Sequence, residues 1–393
     1  MTPITTNAEL KTFCAQLAKA PFIAVDTEFM RETTYWPKLC LIQAASPEVS
    51  AAIDPMAEGL DLKPFLKLMA DPKIDKVFHA ARQDVEIFNI LGVIPEPLFD
   101  TQIAAMAAGF GEQVAYDALV RQMLKIEVDK SSRFTDWGRR PLSQTQIEYA
   151  LGDVIHLAAL YPRLREKLER EGRLHWVQDE MAGLVDPANY DTEPQNAWKR
   201  LKPRRHTAKY MAVFKAVAAW RELTAQTRDQ PRGRILKDDA IDEVATQAPT
   251  DMDALARLRS VPKGFGGSRF GPDLLDAVRE ALAQPEPDGA SQPERHHRNG
   301  QAPKAAGAIV ELLKVLLKAR AEEAGVASKL IATVSDLELI AVDDEADTQA
   351  LKGWRREAFG EDALRIKRGE LALVLDGGRV RAVEVRRSPK SLA

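Results

Sequence analysis

Residues 1–160 alternate short apolar runs of period two with stretches of helical period. No other feature constrains the fold as strongly. Strands interleaved in this way must pair in one sheet, and the helices between them must cover its faces. The candidate strands are 22–26, 38–44, 49–53, 76–78 and 93–99. Thr6-Asn7-Ala-Glu9 sets polar caps ahead of an apolar-periodic stretch and predicts a helix start. Residues 60–68 open helically between strands. Another start is predicted at Ser143-Gln-Thr-Gln-Ile-Glu148, behind an entry turn at Pro141, for a helix continuing through Leu160.

The first strand runs into two carboxylates, in Phe22-Ile-Ala-Val-Asp-Thr-Glu-Phe29. Period-two geometry puts Asp26 and Glu28 on one face. Tyr149 and Asp153, in Glu148-Tyr-Ala-Leu-Gly-Asp153, are one helical turn apart and share a face as well. Asp84 lies between them in sequence, in His79-Ala-Ala-Arg-Gln-Asp-Val-Glu-Ile-Phe88. It follows a short strand, and the carboxyl ends of strands are where α/β sheets build sites. Buried together without cations, four carboxylates would repel one another. Mg²⁺ and Mn²⁺ are hard cations that take oxygen ligands. Two such ions about 3.5–4 Å apart stabilise the attacking and leaving oxygens of an in-line phosphoryl displacement. A tyrosine hydroxyl in reach can orient the attacking water. Each residue alone has a plainer reading: Asp26 as a turn cap, Asp84 as a solvated helix residue, Tyr149 as a core tyrosine. Their joint order points to a site for two divalent ions and to metal-dependent phosphodiester hydrolysis.

The 393 residues allow two or three domains, and 45% hydrophobic against 29% charged content is that of an ordinary globular protein. The start lacks the basic and then apolar regions of a secretion signal, and no apolar run approaches membrane-spanning length. Cys14 and Cys40 form no CxxC pair and are expected to be buried thiols of a cytoplasmic protein. The net charge of −3 conceals a polarity. Residues 1–153 carry 15 basic against 21 acidic side chains, residues 195–240 carry 12 against 4, and residues 365–390 carry 8 against 3. An acidic first domain suits metal binding, and basic regions behind it suit contact with phosphate.

From about Thr192 the pattern becomes helical, with expected helices at 208–225, 237–246, 251–258, 272–282 and 305–323. Met211, Phe214, Val217 and Trp220 recur at helical spacing and are core residues. Gly264–Gly267 is expected to be a turn between helices. Residues 284–303, with four prolines and no large apolar side chain, are expected to be a flexible linker. The alternation around Asp376-Gly-Gly378 predicts a β-hairpin. Phe270-Gly-Pro-Asp-Leu-Leu275 and Phe359-Gly-Glu-Asp-Ala-Leu364 repeat each other weakly, which suggests two copies of one helical module.

Asp26-Thr-Glu28, His79-x4-Asp84 and Tyr149-x3-Asp153 resemble the three motifs of the DEDD superfamily of 3′-to-5′ exonucleases, in its tyrosine subclass. The wider text is similar to the bacterial ribonuclease D family, notably Trp36-Pro-Lys-Leu-Cys-Leu-Ile-Gln43 and Asp129-Lys-Ser-Ser-Arg-Phe-Thr-Asp-Trp-Gly-Arg-Arg-Pro-Leu142. The resemblance implies a ribonuclease-H-like α/β exonuclease domain, a mixed five-stranded sheet flanked by helices, over 1–190. It implies a basic linker at 191–204, a first all-α HRDC-like domain at 205–284, a linker at 285–303 and a degenerate second copy at 304–386. It also implies that Asp26, Glu28 and Asp153 bind one metal ion, that Asp26 bridges to a second which Asp84 approaches through water, and that Tyr149 positions the nucleophilic water. The activity implied is 3′-to-5′ trimming of RNA, of tRNA precursors in particular; a monomer is expected, with no obligate protein partner evident. Two other readings share parts of this pattern: a DNA exonuclease of repair or proofreading type, and a non-catalytic RNA-binding scaffold.

Several further residues are candidate substrate contacts. Lys130, Arg133, Arg139 and Arg140 precede the Tyr149 helix, and arginine matches phosphate bidentately. Phe134 and Trp137 could stack a terminal base or pack beneath the loop. Phe29 and Met30 follow the carboxylate pair and could wedge against the terminal nucleotides, and His79 begins the segment leading to Asp84.

Overall fold

The structure, a computed structural model, describes residues 2–129, 132, 135–284 and 304–385. Arg133, Lys130, Phe134 and the proline-rich stretch 285–303 lie outside the described residues.

Five strands form one mixed sheet: β1 (Phe22–Met30), β2 (Lys38–Ala45), β3 (Ser50–Ile53), β4 (Asp75–Phe78) and β5 (Leu98–Asp100). Their order is β3-β2-β1-β4-β5. β1, β2 and β3 pair antiparallel, while β4 and β5 extend the sheet in parallel from β1. The last strand is shorter than its apolar pattern predicts. Pro95 and Pro97 have no N–H to give to a ladder, so pairing begins only at Leu98.

The helices of this region are α1 (Asn7–Leu17), α2 (Lys63–Met69), α3 (Arg82–Ile90), α4 (Thr101–Ala107), α5 (Tyr116–Leu124), α6 (Gln144–Arg170) and α7 (Leu174–Val185). Both predicted starts are capping boxes, Thr6 with Glu9 and Ser143 with Gln146. α6 runs ten residues beyond Leu160, through Pro162. Burial of Tyr161, Leu164 and Leu168 in the core of the sheet region outweighs the lost backbone hydrogen bond. α6 packs across β1, β2 and β3, and thereby brings its own side chains to the end of the first strand.

Helices α8 (Ala208–Thr227), α9 (Arg232–Ile235), α10 (Asp238–Gln247), α11 (Met252–Ala256) and α12 (Phe270–Ala283) follow. They enclose a core of their own, built from residues such as Phe214, Val217, Ile241, Leu255 and Leu275. Pro194–Arg200, inside the stretch expected as a linker, is a 3-10 turn lying on α8, with Lys215 Nζ 4.4 Å from the Trp198 ring centre. This helical unit is tied to the β1–β2 loop by one buried hub. Tyr35 donates its hydroxyl hydrogen to Glu222, which is fully buried and also bonded by Arg232 and Arg200. The Asp229 carboxylate accepts from the backbone N–H groups of Tyr35 and Trp36 at 3.0 and 2.9 Å.

The following elements are α13 (Lys304–Ala324), α14 (Ser328–Ile331), α15 (Val334–Val342), a 3-10 turn Gln349–Leu351, α16 (Gly353–Arg355) joined through a π-helical turn Arg356–Gly360 to α17 (Glu361–Lys367), and a hairpin of β6 (Leu371–Asp376) and β7 (Arg379–Glu384). The hairpin turns at Gly377 and Gly378, both with positive φ, as the sequence alternation foretells, so this segment is helical with an appended hairpin and not all-α. Unlike α8–α12, it shares one continuous core with the sheet region. Trp354 stacks on Trp176 of α7 at 4.3 Å, Arg355 pairs with Glu180, and Arg173 bonds the carbonyls of Ala324 and Gly325. No helix among the described residues is long and apolar enough to cross a membrane.

Candidate active site

β1 delivers Asp26 and Glu28, and α6 delivers Asp153 and Tyr149 to the same place. Oxygens of Asp26, Glu28 and Asp153 lie within 4.8 Å of one another. The β1–β2 register slips between Glu28 and Phe29, a bulge of the kind that re-aims side chains beside active sites. The Tyr149 hydroxyl lies beside the Asp153 carboxylate one helical turn on, close enough for that charge to act on it. Asp84, buried at the start of α3, sits outside the group of three, and its Oδ1 accepts from Thr27 Oγ1 at 2.5 Å.

Burial, reinforced by the neighbouring carboxylates, dominates the electrostatics. It pushes Asp26 up to about 6. Glu28 rises to about 9 through burial and then the charges of Asp26, Asp153 and Asp84. Asp84 is raised well above the usual range, first by burial and then by Asp26. Tyr149 is raised by burial and by Asp153 and Glu28. Beside these groups opens a cavity of about 550 Å³, lined by Asp26, Tyr149, Asp153, His79 and Tyr116 among others. No lysine or arginine is among its described lining residues. The all-oxygen donor set fits hard divalent ions.

His79 lies on the cavity wall, with Nδ1 3.0 Å from Thr101 Oγ1, and burial holds its imidazole below the usual range. Phe29 is half-buried. Met30, 38% exposed, lies against Gly138, where an added Cβ would meet its Sδ at 2.8 Å. Trp137 is buried and packs near Tyr149, so its role is in the core and not on the surface. Arg139 is exposed. Arg140 does not fit the phosphate role its position suggested. Its Nε and Nη2 bond both oxygens of Asp54, its Nη2 also bonds the Cys40 carbonyl, and its Nη1 bonds the carbonyls of Trp137 and Arg139. All five of its N–H donors are engaged within the protein.

Three contributors escaped the sequence reading. Thr27 holds Asp84. Tyr116 donates to the main-chain carbonyl of Asp153. Asp100 accepts from the N–H groups of Ala80, Ala81 and Gln102 at 3.1, 2.8 and 2.7 Å, which fixes the turn ahead of α3 and Asp84. Only Asp100 left a sequence signal, as the polar residue closing a strand before a helical stretch.

The profile of a 3′-5′ exonuclease family matches residues 1–169, and that of the HRDC domain matches residues 211–278. Ribonuclease D of Nitrobacter hamburgensis is 52% identical over 97% of this chain and 99% of its own length. The chain belongs to the ribonuclease D family. Ribonuclease D of Granulibacter bethesdensis is 48% identical over 97% of this chain and 96% of its own. The crystal structure of Escherichia coli RNase D, an exoribonuclease involved in structured RNA processing, superposes with a TM-score of 0.79 at 28% identity, covering 93% of this chain and 99% of that one. Membership in the ribonuclease D family makes this chain a hydrolase of the 3′-5′ exoribonuclease class.

Proposed function

We propose that the chain removes nucleotides from the 3′ ends of RNA, tRNA precursors among them, by divalent-metal-dependent hydrolysis releasing nucleoside 5′-monophosphates. The observation that carries this reading is the convergence of Asp26, Glu28 and Asp153 within 4.8 Å, with Tyr149 beside Asp153. A pair of Mg²⁺ or Mn²⁺ ions would supply Lewis-acid stabilisation to the attacking and leaving oxygens. Asp26, Glu28 and Asp153 would hold one ion, and Asp26 and Asp84 would face the other. The Tyr149 hydroxyl, beside Asp153, orients the water that attacks the phosphorus. The cavity beside them accommodates the terminal nucleoside against His79 on its wall, and Phe29 and Met30, which follow Glu28 on β1, wedge against the terminal nucleotides. RNA as substrate rests on the family and on the relatives' names. The buried thiols of Cys14 and Cys40 suit the reducing cytoplasm.

We read both C-terminal segments, 205–284 and 304–386, as copies of one HRDC-type module that binds the body of the RNA. One packing detail supports the repeat. A Cβ on Gly271 would meet the Gly266 carbonyl at 2.3 Å, and a Cβ on Gly360 would meet the Ala350 carbonyl at 2.3 Å. In both matched Phe-Gly pairs the glycine lets a helix come close to a preceding backbone, at the start of α12 in the first and within the continuous helical run 353–367 in the second.

Digestion of a tRNA carrying a 3′ extension, in Mg²⁺ and in Mn²⁺, tests the proposal. Asp153→Asn is expected to abolish release of 5′-monophosphates while RNA binding persists. Undiminished trimming by that variant, or equal activity in EDTA, would overturn it.

A further inference from the structure

Gln43 on β2 stands directly opposite Asp26 on β1 and, on its other side, opposite Ala52 on β3. It is completely buried, and neither its Nε2 nor its Oε1 has a hydrogen-bond partner among the described residues. Directly opposed residues of an antiparallel pair project to the same face, with Cβ atoms about 4.5–5.5 Å apart. Gln43 therefore shares the face of Asp26, the face on which α6 lies. Of the other side chains gathered there, Leu41, Ala52, Ala150 and Leu151 are apolar and offer no partner, and Tyr149 packs at the edge of the cluster. Trp137 Nε1, in the same cluster, also has no partner among the described residues, but it is a donor and cannot serve the donor end of the amide.

Leaving a buried polar group unmatched destabilises the fold. A leucine of similar volume would avoid that cost at this position. The acceptor nearest in register to the Gln43 amide is the Asp26 carboxylate. We propose that Gln43 is a positioning residue for Asp26: in the cation-loaded enzyme its Nε2 donates to the Asp26 carboxylate and fixes the orientation in which that carboxylate meets the cation. Groups standing behind metal ligands in this way usually change metal affinity about 10–100-fold when removed. The inference rests on the reading of Asp26 as a cation ligand.

The test is calorimetric titration of Mn²⁺ into the full-length chain without RNA, beside thermal unfolding of each metal-free variant. Gln43→Leu is expected to weaken Mn²⁺ binding about 10–100-fold while the metal-free Tm stays level or rises. Gln43→Met, which keeps the unbranched shape, is expected to match it and serves if the leucine variant folds poorly. Unchanged Mn²⁺ affinity in both variants overturns the proposal, as does a loss of affinity accompanied by an equal loss of metal-free stability. Asp26→Asn separates the two readings. If it too binds Mn²⁺ as the parent does, the cation site itself is misassigned. If it loses binding while the Gln43 variants keep theirs, only the role of Gln43 fails.

Discussion

Thr27 Oγ1 donates to Asp84 Oδ1 over 2.5 Å, joining the middle letter of the first motif to a carboxylate 57 positions later. The bond fixes one oxygen of a buried acid that stands apart from the other three carboxylates. Thr27→Val keeps the shape and removes the donor. Loss of a hydrogen bond to a charged group is worth about 1.5–3 kcal/mol. The variant is expected to lower kcat roughly ten- to hundredfold, with KM for RNA near the parent value. Steady-state kinetics on an oligoribonucleotide check this, and a change confined to KM would count against it.

Burial raises the ionisation of Asp26 to about 6 and of Glu28 to about 9 in the metal-free protein. A carboxyl whose folded value exceeds its unfolded value binds more protons folded than unfolded between the two. Stability therefore falls as pH climbs through that window. For Glu28 the window runs from its ordinary value of 4.5 up to about 9. Metal-free Tm is expected to fall between pH 5 and pH 9, and the rise in Tm on adding Mg²⁺ is expected to grow over the same range, since protons must leave before the ion binds. Glu28→Gln should flatten the metal-free slope. An identical slope in that variant would refute the assignment.

Arg140 is a structural residue. Its salt bridge to Asp54 is 2.6 Å, with a quarter of the arginine side chain exposed and the aspartate nearly buried. Arg140→Ala strands that aspartate and should cost roughly 2–3 kcal/mol, below the full cost of breaking a buried pair because of the exposure. Urea unfolding measures the loss. KM for RNA should stay level, and a raised KM without loss of stability would restore a phosphate role.

The hub at Glu222 governs how the first helical module is held. Arg232→Ala removes one of two guanidinium groups from a fully buried carboxylate and takes a cation from the face of Tyr35, 4.5 Å away. The expected outcome is a module that comes loose from the β1–β2 loop, seen as a larger radius of gyration in small-angle scattering. KM should rise more than kcat falls. The opposite pattern would mean that the module acts on chemistry and not on substrate capture.

The carboxylates and Tyr149 were legible because their signals are local: two apart on a strand, four apart on a helix, one behind a short strand. Capping boxes at Thr6 and Ser143 were legible for the same reason. Arg140 was misread because its spacing relative to the tyrosine helix carries no trace of Asp54, 86 positions away. The Tyr35–Glu222 hub spans 187 positions and has no periodicity to betray it. α6 overran its expected end because packing of Tyr161 and Leu164 overrides the weak local veto of Pro162. Long-range polar pairs and tertiary rescue of helices are both set by the assembled fold, and neither writes itself into a short window of sequence.

The second helical segment shares its interior with the sheet region, while the first keeps a separate one. That difference bears on the order of events at the ribosome. The first module can condense as soon as its own residues have emerged. The wall formed by Met106, Arg173 and Trp176 stays bare until residues 324–354, the last of its partners, have been translated, because Ala327 bonds the Met106 carbonyl and Trp354 covers Trp176. An enzyme that degrades RNA from its 3′ end would thus gain its complete hydrophobic interior only late in its own synthesis.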